Sequence, residues 1–335
     1  MKKVILGKTG LEISRLGFGG IPIQRIDAAG TRKLFEAMRE KGINYVDTAR
    51  GYTVSESYIG EAMEGMRQDF VVATKSMART YEAMKADIET SLKNLRTDYI
   101  DLYQVHNPNM AQLEQVVGED GALKALLEAK EAGKIGHIGL TAHLVPVAMA
   151  ALEYDWVETL MFPYNIVETQ GEEILELCKA KNVGFIDMKP LAGGAIEDAR
   201  AAMRFVAKDP RVTVIIPGMA ELSELDINIA AVEDESEYSE AEVAKEAEIR
   251  NMLGNQFCRR CNYCAPCTVG INISGVFLFA GYLQRYGLGD WAKSRYATLD
   301  KKADDCIGCG VCETRCPYQL PIREMLKKAA EDFAK

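Results

Sequence analysis

The sequence has no hydrophobic segment long enough to cross a membrane. Its longest apolar run, Val276–Tyr282, is much shorter than the roughly 20 residues that a bilayer-spanning helix needs. The apolar run after the two N-terminal lysines is also too short for a secretory signal peptide. We therefore expect neither a membrane span nor export.

Basic residues are too few to balance the acidic ones. The chain carries 40 Lys+Arg and 49 Asp+Glu, a formal charge of −9, which disfavours nucleic acids and anionic membrane surfaces as partners. The charge is uneven, because residues 255–335 hold 12 basic and 8 acidic side chains (+4) and the rest hold 28 and 41 (−13). A basic tail suits a domain that surrounds anionic groups; a random surface bias is the alternative.

Cysteine is almost absent from the first 257 residues, where Cys178 on an apolar helical face is the single example. The other eight form two short runs, spaced C-x2-C-x2-C-x2-C and C-x2-C-x2-C-x3-C-P. The runs are Cys258, Cys261, Cys264, Cys267 and Cys306, Cys309, Cys312, Cys316. The second spacing is that of bacterial iron–sulfur proteins, in which the fourth cysteine ligates the other cluster.

This rule predicts two [4Fe–4S] clusters with exchanged fourth ligands. The predicted sets are Cys258, Cys261, Cys264 with Cys316, and Cys306, Cys309, Cys312 with Cys267. Zinc is the first alternative, although neither run has an additional histidine. Disulfides are the second, and they require an oxidising compartment. Because iron needs free thiolates, we expect a reducing cytoplasm.

Short apolar runs alternate with amphipathic stretches from residue 16 to about 232, as in βα units. The predicted strands are Leu16–Gly20, Tyr45–Ala49, Phe70–Lys75, Ile100–His106, His137–Thr141, Thr159–Tyr164, Gly184–Met188 and Val212–Ile216. Eight units over this length favour a closed (β/α)8 TIM barrel. An open doubly wound sheet would place G-x-G-x-x-G after its first strand, and residues 17–22 lack that motif.

The flanking segments complete the predicted organisation. Val4–Leu6 and Leu11–Ser14 surround turn glycines and predict an N-terminal β-hairpin. We expect a barrel domain at 1–232, an acidic helical linker at 233–254 and a mainly α-helical ferredoxin-like domain at 255–335.

Four polar residues follow successive predicted strands at the end where barrels carry their chemistry. They are Asp47, Tyr52, Lys75 and His106. A tyrosine hydroxyl has a pKa near 10, and an adjacent ammonium lowers it. An aspartate holds that ammonium, and an imidazole can orient a carbonyl group. This set predicts a proton donor; a buried Asp–Lys pair beside a packing tyrosine is the alternative.

The segment Leu6-Gly7-Lys8-Thr9-Gly10-Leu11 and the run Asp47-Thr48-Ala49-x-x-Tyr52, with Lys75 and His106, resemble the aldo-keto reductase family. Ile216-Pro217-Gly218 followed by Leu225-x-x-Asn228 is similar to its cofactor loop. The tail resembles the α-helical ferredoxin module of one branch of that family. The resemblance implies hydride transfer between a nicotinamide and an aldehyde, ketone or alcohol. Tyr52 would be the acid, Lys75 and Asp47 would tune it, and His106 would orient the substrate.

The same resemblance implies a set of nucleotide contacts. They are Thr141, His143, Asn165, Met188, Pro217, Gly218, Met219 and Asn228. Several positions depart from the family pattern: Thr141-Ala142-His143 replaces a Ser-Asn pair, Met161 a glutamine and Met188 an aromatic ring. Gly218 and Glu224 stand where NADPH-dependent members often have basic residues. We therefore expect NAD(H) rather than NADP(H), with a flavin beside the two methionines as the alternative.

Three functions follow from these patterns. The first is a nicotinamide-dependent carbonyl reductase or alcohol dehydrogenase whose clusters are structural or regulatory. The second is an oxidoreductase coupled to ferredoxin or another electron carrier, because a flavin exchanges both one and two electrons. The third is a non-enzymatic electron-transfer or redox-sensing subunit. Arg50 is either a contact for a substrate carboxylate or a solvated surface residue.

Overall fold

The computed structural model describes all 335 residues. They form two compact units. The first comprises residues 1–165, 169–191 and 198–238, and the second comprises residues 166–168, 192–197 and 239–335. None of the helices combines the length and the apolar character of a membrane-spanning helix.

The first unit begins with an antiparallel hairpin of β1 (Lys3–Ile5) and β2 (Glu12–Ser14). Eight parallel strands follow in sequence order. They are β3 (Phe18–Gly19), β4 (Tyr45–Asp47), β5 (Val71–Ser76), β6 (Ile100–His106), β7 (Ile135–Thr141), β8 (Thr159–Pro163), β9 (Gly184–Met188) and β10 (Val214–Ile216). The hairpin and the eight strands confirm the prediction from the sequence.

Contacts between the first and last parallel strands close the sheet. Leu16 bridges to Ile215 and Gly19 bridges to Gly218, both in parallel orientation. The backbone N–H of Gly19 donates to the Pro217 carbonyl at 2.9 Å. A Cβ at Gly19 would lie 3.0 Å from that oxygen, so the close approach of the strands favours glycine here. The result is the predicted TIM-type barrel.

Nine helices surround the strands of the first unit. They are α1 (Ala28–Glu40), α2 (Ser55–Ala62), α3 (Tyr81–Asn94), α4 (Met110–Val117), α5 (Ala122–Glu131), α6 (Val145–Ala151), α7 (Glu172–Ala180), α8 (Ala199–Ala207) and α9 (Leu222–Val232). Their starts follow ordinary capping chemistry: Asp27 accepts from the Gly30 N–H at 2.7 Å, and Asn109 accepts from the Gln112 N–H at 2.9 Å. Cys178 is fully buried on α7, as expected of a core residue.

The second unit is mainly helical. Its helices are α10 (Glu240–Leu253), α11 (Ile273–Arg285), α12 (Gly289–Ala297), α13 (Val311–Thr314) and α14 (Ile322–Ala334). The acidic helix predicted from residue 233 begins at Glu240, because Ser239 and Glu242 form a capping box there. The Asp234 carboxylate accepts from the Ser236 N–H at 3.0 Å, which forms a turn instead of helix in the preceding segment.

Candidate active site and cluster sites

The four residues predicted to form a proton-donor site lie together at one end of the barrel. Asp47 ends β4, Lys75 lies in β5, His106 ends β6, and Tyr52 is in the loop after β4. The Lys75 Nζ is 5.1 Å from the centre of the Tyr52 ring. The Tyr52 and His106 rings meet edge to face, with centroids 6.1 Å apart. The site therefore brings an ammonium and an imidazole close to one phenol.

A buried ion pair supports the phenol. The Lys75 ammonium donates to the Asp47 carboxylate and to the Thr48 carbonyl at 2.8 Å. Lys75 and Asp47 are 2% and 3% exposed. Gln104 Nε2 donates to the other oxygen of Asp47 at 3.0 Å. Because both carboxylate oxygens are bonded, the aspartate keeps the ammonium in one position.

Burial alters the acid–base behaviour of this pair. The loss of water around the ammonium lowers the pKa of Lys75 from its usual value, and the Asp47 carboxylate opposes that change. An ammonium near a phenol also favours its ionised form. Lys75 is therefore fixed in the barrel wall, with its nitrogen 5.1 Å from the centre of the Tyr52 ring.

Gln104 supports the Asp47 carboxylate, although its sequence position did not mark it as a candidate. It lies on β6 two positions before His106, so both side chains point to the same side of the strand. It is fully buried, and its Oε1 has no hydrogen-bond partner. A polar residue two positions before a predicted strand-end histidine is the signal that could have identified it.

Arg50, considered as a substrate contact or as a solvated surface residue, forms ion pairs with two carboxylates of its own unit. Its Nη1 lies 3.0 Å from the Glu56 carboxylate, and its Nε lies 3.5 Å from Asp87. Glu56 is 1% exposed. The guanidinium is therefore compensated by two carboxylates of the first unit, and it neither faces solvent alone nor offers an uncompensated charge to a substrate.

The predicted nucleotide contacts after β7 and β8 are tied to neighbouring loops. Asn107, directly after His106, donates its N–H to Thr141 Oγ1 at 3.0 Å. Its side-chain oxygen accepts from the His143 N–H at 3.2 Å. Asn165 is fully buried and donates to the Lys189 carbonyl at 2.9 Å. These bonds fix three predicted contacts at the strand ends where a barrel binds its ligands.

In the loop after β10, residues 217–219 expose little side-chain surface to solvent. Pro217 is buried, Gly218 is exposed and Met219 is fully buried. A Cβ at Gly218 would lie 2.6 Å from the Pro22 side chain, so the chain passes too closely for a larger residue. With the Met219 side chain in the core, this loop can contact a nucleotide only through its backbone and its glycine.

The N-terminus of α9 already holds a carboxylate. The Glu224 side chain accepts from the backbone N–H groups of Ala220 at 2.6 Å and Glu221 at 3.1 Å. Helix N-termini attract anions through such N–H groups, and here an internal anion uses them. Asn228, one turn further along α9, is 4% exposed, and its Oδ1 has no partner. An adenine amino group is a suitable donor for that oxygen.

The two methionines considered for a flavin have different surroundings. Met161 is 1% exposed and belongs to the core inside the barrel, with Tyr45 and Ile186 among its neighbours. Met188 packs against that core and remains partly exposed. Only Met188 therefore presents a surface on which a flat ring can lie.

The eight clustered cysteines line two cavities in the second unit. The first cavity contains Cys258, Cys261, Cys264 and Cys316. The second contains Cys267, Cys306, Cys309 and Cys312. Each set combines three cysteines of one run with the last cysteine of the other, as the spacing predicts. Ile273 lines both cavities, so they are neighbours.

The chemistry of the two cavities suits iron–sulfur clusters. Thiolates are the usual ligands of such clusters, and each cavity offers four. Apolar side chains complete the walls, including Phe277 and Ile322 in the first cavity and Val269 and Leu326 in the second.

Sequence comparison identifies both parts of the chain. Residues 15–201 match the aldo/keto reductase family, and the chain belongs to that family. It is an oxidoreductase, and the non-enzymatic alternative is set aside. Residues 257–321 match a 4Fe-4S dicluster domain, so the protein joins a reductase barrel to a domain for two iron–sulfur clusters.

Several relatives are similar over most of the barrel. L-galactose dehydrogenase of Arabidopsis thaliana is 26% identical over 281 residues, covering 68% of this chain and 86% of the relative. An NADH-specific methylglyoxal reductase of Escherichia coli is 29% identical over 228 residues, covering 58% and 69%. Among solved structures, the holo form of an aldo-keto reductase, AKR11C1, from Bacillus halodurans aligns with a TM-score of 0.64 and 25% identity. That alignment covers 74% of this chain and 96% of the other.

Proposed function

We propose that this protein reversibly reduces an aldehyde or ketone with NADH and that Tyr52 donates the proton. The observation that carries the proposal is the Lys75 ammonium, which is bonded to Asp47 and lies 5.1 Å from the Tyr52 ring. A bound nicotinamide supplies the hydride. The Tyr52 hydroxyl gives its proton to the carbonyl oxygen, and the Lys75 charge stabilises the phenolate that remains. His106 donates a hydrogen bond that orients the carbonyl.

Two features of the first unit support NADH over NADPH. The Glu224 carboxylate accepts hydrogen bonds from the two N–H groups that directly precede α9, and a second anion beside it is repelled. Gly218 adds no positive charge in the preceding loop. Asn228, with its unpaired buried oxygen, suits the adenine end that both nucleotides share. A relative named as an NADH-specific methylglyoxal reductase makes methylglyoxal the first substrate to test.

A second candidate function uses the clusters as electron carriers to a ferredoxin-like partner or a bound flavin. Cys309 is exposed, and Ile307, which lines the same cavity, is 64% exposed, so the second cavity is accessible from the surface. Under either function, the eight free thiols require a reducing compartment, for which we propose the cytoplasm.

The test compares Tyr52→Phe with the wild-type protein, purified without oxygen. NADH and NADPH are supplied with methylglyoxal and a panel of aldehydes and ketones. Loss of a general acid should lower kcat by about 10²- to 10⁴-fold while leaving nucleotide affinity unchanged. Tyr154→Phe is the control, because Tyr154 follows α6 and precedes β8, away from the strand ends that carry the site.

The same preparations separate the two candidate functions. Turnover with NADH alone supports the first. Turnover only with reduced viologen, together with a flavin released on denaturation, supports the second. Equal kcat values for Tyr52→Phe and wild type with NADH would reject the role of Tyr52.

A further inference from the structure

Three arginines of the second unit hold one short segment. Arg250 Nε donates to the Ile166 carbonyl at 2.9 Å, and Arg259 Nε donates to the Val167 carbonyl at 2.7 Å. Arg260 forms an ion pair with the Glu168 carboxylate. These contacts differ in kind, because only the third joins two full charges.

The third pair is buried beside the first cavity. Arg260 is 9% exposed and Glu168 is fully buried. Arg260 lies between Cys258 and Cys261 in the chain, and its Nη1 is 3.5 Å from the Cys258 carbonyl. The pair therefore places one positive and one negative charge next to the first ligand of this cavity. Because the pair is hidden from solvent, salt and water screen it only weakly.

The second cavity has no equivalent charge. Arg323, which lines this cavity, has a side chain that is 51% exposed and forms an ion pair with Glu313 at 2.8 Å. Such a pair is screened by solvent. The first cavity therefore has a buried pair of charges beside it, whereas the charges beside the second cavity are in contact with solvent.

We propose that the buried Arg260–Glu168 pair sets the reduction potential of the cluster held by Cys258, Cys261, Cys264 and Cys316. Reduction adds one negative charge to the cluster, so a nearby guanidinium favours the reduced state and a carboxylate opposes it. Charge and hydrogen bonding around the ligands are established controls of cluster potential. Arg260 acts to raise the potential, and Glu168 limits that rise.

The test is a potentiometric titration of the full-length, cluster-containing protein, followed by electron paramagnetic resonance. Arg260→Gln should lower one of the two midpoint potentials, and Glu168→Gln should raise the same one. Arg260→Lys should restore a value near wild type, because it retains the charge. Arg323→Gln should leave this midpoint unchanged.

A purely structural role for the pair predicts a different result. Arg250→Gln is the matched control, because it removes a contact to the same segment but lies outside the cysteine run. It should not change the midpoint. If Arg260→Gln and Glu168→Gln shift the midpoint in the same direction, or Arg250→Gln shifts it equally, the proposal is wrong.

A second variant covers the case in which Arg260→Gln fails to assemble its clusters. Glu168→Gln and Arg260→Lys then still test the sign of the effect. The readout is a potential rather than turnover. Failure here therefore leaves the role of Tyr52 unaffected, and failure of Tyr52→Phe leaves this proposal unaffected.

Discussion

The barrel and the cysteine-rich unit hold their reactive groups in different ways. In the barrel, Asp47 and Lys75 are almost fully buried, and their charges are satisfied by each other, by Gln104 and by the Thr48 carbonyl. In the second unit, Cys312 belongs to the hydrophobic core, and Cys258, Cys264, Cys267, Cys306 and Cys316 pack against it.

Because of this difference, we expect the two units to differ in whether they need a bound cofactor in order to fold. The barrel site is stabilised by the strands that carry it. In the second unit, the ligands form part of the core, and ligated thiolates are charged groups that a core tolerates only with their metal. The comparison leads us to expect that the strands of the barrel hold its polar residues in place without a cofactor, whereas the second unit needs its clusters to keep its fold.

The strongest way to break this comparison is to remove the iron. Chelation after oxidation should unfold the second unit and leave the barrel intact. Hydrogen exchange measured by mass spectrometry should show that α11 and α14 lose protection, whereas β5 and β6 keep it. The control is the same treatment without chelator. Retained protection in α11 would mean that the second unit folds without its clusters.

The next largest effect should come from Lys75→Met. This change leaves the buried Asp47 carboxylate without its partner, which should destabilise the barrel by about 3–5 kcal/mol as well as abolish turnover. Urea denaturation measures the loss. Lys134→Met is the control, because the exposed Lys134–Glu89 pair should contribute at most about 1 kcal/mol.

A double variant sharpens the same point. Lys75→Met with Asp47→Leu removes both charges and should recover much of the stability, because no unpaired carboxylate remains. Turnover should stay lost. Equal stability of the single and double variants would show that the ion pair is not what the barrel requires.

The sequence predicted the barrel well because its strands are continuous apolar runs. The eight predicted strands match the observed ones within a few residues, and the alternation of strands and helices determines the parallel order. The division of the eight cysteines between two cavities also agrees with the ligand spacing, because that spacing restricts which thiolates can reach one cluster; the ligand sets themselves stay a prediction. Both signals are local patterns in the chain.

Contacts between side chains that are far apart in the chain could not be predicted from local sequence patterns. Gln104 and Asp47 are 57 residues apart, and Arg260 and Glu168 are 92 residues apart. Their pairing depends on strand register and on loop packing, neither of which is encoded in nearby residues. The start of α10 was also predicted too early, because acidic composition favours a helix equally at 233 and 240, whereas the Ser239 cap decides it.

A smaller effect should distinguish the two nucleotides. Glu224→Gln removes the carboxylate that uses the N–H groups of Ala220 and Glu221. NADPH affinity should rise about two- to fivefold, in line with the ~0.3–1 kcal/mol of a charge at a helix end. NADH affinity should change little. Fluorescence titration measures both.

The control for this prediction removes the same charge from the same helix. Asp226→Asn, whose carboxylate pairs with Lys41 at 3.0 Å, should not change the ratio of the two affinities. Tighter binding of NADPH than NADH by the wild-type protein would contradict the proposed preference.

The smallest effect should come from an ion cluster at the opposite end of the barrel. Burial favours protonation of Glu158, but hydrogen bonds from His137, Lys130 and the Ile138 N–H outweigh it and lower the pKa of Glu158 to about 2. A carboxylate with a depressed pKa stabilises the fold above its ordinary pKa near 4.5, and this stabilisation is lost as the pH falls towards 2.

Glu158→Gln should therefore cost about 1 kcal/mol at pH 7, and its difference from the wild-type protein should shrink between pH 4.5 and 2. Urea denaturation followed by Trp156 fluorescence, in a Trp291→Phe background, measures the first unit selectively. Glu153→Gln is the control, because its pair with Lys181 is 70% exposed on the glutamate side. A constant difference across this pH range would contradict the depressed pKa. A small, pH-limited effect would show that the barrel depends far more on the buried Asp47–Lys75 pair than on charges at its other end.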